Sequence, residues 1–112
     1  MTQNEKIAEV MGWDCDAVGF ISPKTGFVGL FSDIGKDTPY GNWLAKKLQA
    51  KMVADGWQLQ IDILKQKPHF FVYGSLNINE KHIHKIADAE AYTESAAIFE
   101  LFCKIYGITD EA

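Results

Sequence analysis

Histidine, cysteine and carboxylate are the side chains of this 112-residue sequence best suited to chemistry, and their spacing offers few sites. His82 and His84 flank Ile83, and two histidines at i and i+2 on a strand project to one face, where His69 or Asp88 could complete a cation site. Lys81 and Lys85 beside them repel a cation, and no Cys-x-x-Cys spacing accompanies the pair, so the expectation is two exposed histidines and no metal. Asp14-Cys15-Asp16 surrounds a thiol with carboxylates, which suppress the thiolate that a nucleophile needs. Cys103 beside Phe102 reads as a core residue. Neither a Gly-x-Ser-x-Gly elbow, nor a Walker loop, nor a dinucleotide fingerprint occurs, so no cofactor and no catalytic residue is expected. Asp33, Asp37, Asp62 and Glu80 could still converge in space to serve a small hydrolase.

The composition narrows the classes further. Lysine supplies all 11 basic residues, 15 acids outnumber them, and the formal net charge is −4. Without arginine, the bidentate forks that grip phosphate and guanine edges are missing, which argues against direct nucleic-acid binding. Lys46, Lys47 and Lys51 read as the solvated side of a helix. No run approaches the roughly 18 apolar residues that cross a bilayer, and the polar start at Met1 to Lys6 carries no secretory signal. Two well-separated cysteines suit a reducing cytosol. The length fits one domain over residues 1–112, with 109–112 as a frayed tail.

Elements that would position these residues follow from periodicity. A short helix is expected from Asn4 as its cap to Gly12 as its stop, after which Trp13 packs back. Val18 to Ile21 and Phe27 to Phe31 read as a hairpin around Pro23 and Gly26. Thr38-Pro39-Tyr40-Gly41-Asn42 opens a second helix whose Leu44, Ala45, Leu48 and Met52 share a face, and Asp55-Gly56 ends it. Trp57, Leu59, Ile61 and Ile63 alternate with Gln58, Gln60 and Asp62, the pattern of a half-buried strand, and His69 to Ser75 is its hairpin partner. Lys81 to Ala91 satisfies both helical and strand patterns, and we read it as strand. Thr93 caps a last helix that carries Ile98, Leu101, Phe102 and Ile105 and stops at Gly107. Hairpins imply antiparallel pairing, so the fold class is α+β, in the order helix, hairpin, helix, hairpin, further strand, helix.

Three patches resemble a known family. Asn4 to Trp13 is similar to the start of the phage ABA sandwich domain, found in small phage and prophage proteins, where a short helix ends in a Met-Gly-Trp-like corner. Thr38-Pro39-Tyr40 with Trp43 and Lys47-Leu48 looks like its second motif, and Ala87 to Lys104 is similar to its last strand and helix. The resemblance implies an α/β/α sandwich and a phage or prophage origin, but no reaction. The expected function is therefore a non-enzymatic accessory protein of the host cell cytosol that contacts, and modulates or inhibits, a host or viral protein. Trp13, Tyr40, Asn42 and Trp43 are the candidate contact residues, because aromatic anchors beside loops are frequent at interfaces. The acidic balance favours a basic partner surface, and a homodimer through an aromatic surface or sheet edge is a further form of contact. A small-ligand pocket lined by Tyr40 and Trp43 is the alternative.

Overall fold

Threonine opens both long helices. Thr38 and Thr93 each hold an extended backbone conformation, and their hydroxyls accept from the amides of Gly41 at 2.9 Å and Ala96 at 3.2 Å. Each thus satisfies an amide that the first turn leaves without an intrahelical partner. The computed structural model describes residues 3–15, 20–22, 29–30, 33–65, 69–78 and 83–108. Along them run α1 (Gln3–Met11), β1 (Asp14–Cys15), β2 (Phe20–Ser22), β3 (Gly29–Leu30), α2 (Pro39–Ala54), β4 (Trp57–Leu64), β5 (His69–Ile78), β6 (Ile83–Ala91) and α3 (Glu94–Tyr106). Asn4 lies inside α1 rather than capping it.

The strands form two antiparallel sheets, ordered β1-β2-β3 and β4-β5-β6, so the α+β class expected from the hairpins is the one adopted. β2 and β3 are the expected first hairpin, with Phe20 opposite Leu30. Asp14 and Cys15 add a strand to it that the sequence did not signal, because two residues are too few for a period. Of the ambiguous stretch Lys81 to Ala91, the described part is strand, with Ile83 to Ala91 paired along β5 from Ile78 to Phe70, and 81 and 82 lie outside the described residues.

Pairing register decides which side chains meet the helices. Trp57, Leu59, Ile61 and Ile63 stand opposite Leu76, Gly74, Val72 and Phe70, and Ala87, Ala89 and Ala91 continue the last three of these rows onto β6. α2 and α3 pack on this inner face and on each other. Leu44, Leu48 and Met52 of α2 and Ala97, Ile98, Leu101 and Phe102 of α3 are buried against Val72, Ala89 and Trp57, and Ile7 and Ala8 of α1 join the same cluster. The alanines of β6 and Gly74 leave room for α3, since a Cβ on Gly74 would stand 3.5 Å from Leu101. α3 ends where Gly107 turns left-handed at φ +67°, and the Ile108 amide then reaches the Cys103 carbonyl at 2.9 Å.

At that end the Tyr106 hydroxyl donates to Asp55 Oδ2 at 2.5 Å, and Lys51 pairs with Oδ1 at 3.3 Å. The phenol's hydrogen bond, with help from Lys51, holds the Asp55 carboxyl below its usual range. Burial, reinforced by the Asp55 carboxylate, pushes the Tyr106 phenol well above its usual range. A depressed carboxylate stabilises the fold fully above about pH 4 and loses its contribution as the pH falls through the folded value. A raised phenol stabilises fully below about pH 10 and loses its contribution as the pH rises toward the folded value. Tyr106→Phe is therefore expected to cost about 0.5–1 kcal/mol at neutral pH, because the bond is partly exposed, and to flatten both limbs of the stability profile. Urea unfolding of both proteins across the pH range measures this.

Candidate functional site

The first turns of α2 and α3 lie side by side and enclose a cleft of about 340 Å³. Asn42, Ala45 and Lys46 line it from α2, where spacings of three and four residues put them on one flank. Tyr92, Thr93, Glu94, Ser95 and Ile98 line it from the other side, Asp37 closes one end, and Phe70 contributes from β5. The floor is apolar and the rim is polar. Ile63, beside Phe70 in the sheet, is 71% exposed because the helices begin short of this row.

A polar relay that starts from a buried serine ties the cleft walls together. Ser95 is only 3% exposed, and its hydroxyl donates to Asn42 Oδ1 across 53 residues of sequence. The Asn42 amide donates in turn to Asp37 Oδ1 at 3.4 Å. The loop before α2 presses on the same helix: a Cβ on Gly41 would stand 2.1 Å from the Lys36 carbonyl oxygen and 2.7 Å from that of Asp33. Only glycine allows this approach, which sets Asp37 at the cleft end.

Of the four residues that the sequence singled out, Asn42 lines this cleft. Tyr40 and Trp43 lie on another flank of α2, stacked at 6.0 Å with 17° between their planes, and Lys47 Nζ sits 5.0 Å from the Trp43 ring centre. Both rings and Trp13 pack against the core as half-buried side chains. Burial, and next the Asp33 carboxylate, raises the Tyr40 phenol above its usual range. The cavity therefore lies beside Asn42 and not against Tyr40 and Trp43. Of the carboxylates considered for hydrolysis, Asp37 lies at the cleft, Asp33 lies in the loop before α2 near Tyr40, and Asp62 is on the opposite face of the sheet, while Glu80 lies outside the described residues. His82 and Asp16 also lie outside them, and no group of three or more metal-ligating side chains occurs among the described residues.

A second surface lies on the outer face of β4-β5-β6. Phe71 stands between Asp62 and Glu90, Tyr73 between Gln60 and Asp88, and Ser75 between Gln58 and Ile86. The rings are half-buried by their neighbours, the flanking residues are exposed, Ile86 by 61%, and neither ring belongs to the core cluster. The sequence reading missed this face because β5 is apolar on both sides, so its aromatic residues gave no period to sort. Lys104 Nζ donates to the Asp88 carbonyl at 2.7 Å, which occupies an acceptor on the β6 edge.

Ser95→Ala and Asn42→Ala are each expected to lower stability by about 1–2 kcal/mol, and the double variant by less than their sum, with a coupling of about 1 kcal/mol. Thermal and urea unfolding of the four proteins provide the cycle. Gly41→Ala should cost more than Gly74→Ala, on the order of 2–3 against 1 kcal/mol. The added methyl meets backbone oxygens at 2.1 and 2.7 Å at Gly41, but only side-chain atoms, those of Leu59 and Trp57 at 3.2 Å, at Gly74.

No helix among the described residues is long and apolar enough to cross a membrane. Compared with family models, with curated proteins and with solved structures, the chain matches none.

Proposed function

We propose that this protein acts by protein contact, with the outer face of β4-β5-β6 as the docking surface for a basic segment of its partner. The observation that carries this reading is the row Asp62, Phe71, Glu90, in which an aromatic ring has a carboxylate on each side. A lysine or arginine of a partner laid along Phe71 gains the ring face for its cation and stem and a carboxylate for its charge. Asp88 beside Tyr73 repeats the arrangement one row on. A second copy of the chain would bring these acids against one another, so the overall charge of −4 favours a foreign basic surface. Docking by strand addition at β6 would have to displace Lys104 from the Asp88 carbonyl, which supports the face over that edge. The resemblance to the phage family adds the setting: an accessory protein of a phage or prophage, acting in the host cytosol on a host or viral protein without catalysing a reaction.

The test is site-specific photocrosslinking in cells, with a benzoyl-phenylalanine in place of Tyr73. A crosslink to a basic protein is expected, sensitive to salt in extract and lost when Asp62→Lys and Glu90→Lys are combined in the same chain. A crosslink that survives this charge reversal, or one formed only between copies of the chain, overturns the reading.

A further inference from the structure

We infer that the cleft between the first turns of α2 and α3 binds a small zwitterion with an apolar side chain, an amino acid or a dipeptide. The inference is independent of the sheet face, because the cleft opens on the helix side of the sheet. A volume of about 340 Å³ lies at the small end of ligand sites and suits a compact molecule. Ala45, Phe70 and Ile98 offer an apolar floor for a side chain, and Tyr92, 67% exposed, stands at the lip.

The rim separates charge along the groove. Asp37 precedes α2, and Glu94 opens α3 at the same end. Lys46 stands two turns into α2, about 10 Å along its axis from the start of the helix at Pro39. Among the described residues Lys46 and Glu94 form no hydrogen bond or ion pair, so both heads are open to a ligand. An ammonium group fits the acidic end and a carboxylate fits Lys46. A ligand with only negative charge would meet Asp37 and Glu94, and one with only positive charge would meet Lys46 and the positive ends of two helices. The zwitterion alone satisfies every charge on the rim. The Ser95 and Asn42 side chains, already bonded to each other, hold the two walls at a fixed separation.

Titration of the 15N-labelled protein followed by amide shifts tests this, with L-phenylalanine and glycyl-L-phenylalanine as probes and phenylacetate and 2-phenylethylamine as single-charge controls. At least one zwitterion is expected to saturate shifts at residues 42–46 and 93–98, with each control about tenfold weaker. Lys46→Gln, a change at an exposed site, should keep the spectrum of the free protein and weaken the zwitterion about fivefold or more. Failure of both zwitterions to saturate by about 10 mM overturns the inference. So does equal binding of the single-charge controls, or affinity unchanged in Lys46→Gln.

Discussion

The packing of two parallel helices against one face of the sheet is the constraint on which the rest of this fold depends, and a side-chain bond near each end marks their register. Ser95 binds Asn42 where the helices begin, and Tyr106 binds Asp55 where they finish. Between these pins the buried faces of α2 and α3 meet each other and the inner face of the sheet. Parallel helices place like dipole ends together, a cost that antiparallel neighbours avoid. The charges answer it: Asp37 and Glu94 stand at the paired N-termini, Lys51 and Lys104 in the paired last turns. The cleft exists because the N-terminal pin lies on one side of the helix pair and the sheet row of Ile63, Phe70 and Ala91 runs out beyond it.

Much of the architecture was legible because local signals agreed with it. Thr38 and Thr93 are caps in both sequence and structure, the apolar faces of α2 and α3 are the buried ones, and β4 keeps its alternation from Trp57 to Asp62, Ile63 being exposed beyond the helices. The ambiguity over Lys81 to Ala91 was resolved by a tertiary demand: three alanines facing α3 fit a strand beneath a helix, whatever their own propensity. The site was far less legible. Asn42, Lys46 and Ser95 meet through contacts of more than 45 residues in sequence, which no window of spacing reveals. Tyr40 and Trp43 drew attention as aromatic residues beside a loop, yet the helical period turns them onto a different flank from Asn42 and Lys46, where they extend the core.

The absence of arginine takes on structural meaning here. Lysine covers the tasks at which a single flexible charge is enough: Lys47 lies over the Trp43 ring, Lys51 pairs with Asp55, and Lys104 reaches a strand carbonyl. Each is a one-point contact, and none requires a planar fork. The acids, by contrast, are grouped: three flank the aromatic strip of the outer sheet face, and two stand at the mouth of the cleft. Five carboxylates of the described residues thus border the outer sheet face and the cleft.

The parallel orientation of α2 and α3 also follows from the number of strands between them. Each antiparallel strand reverses the chain, and three reversals beyond the turn out of α2 return α3 to the direction of α2; two or four would have set the helices head to tail. The pins consequently join residues 53 and 51 positions apart, with all of β4-β5-β6 in the intervening loop. Each pin therefore closes a loop that contains the whole meander, and in the native structure the buried faces of the two helices offset that loop-closure entropy. The cleft differs in this from the sheet face: the face is built by strands adjacent in sequence, and the cleft by side chains from the two ends of the stretch that runs from α2 to α3.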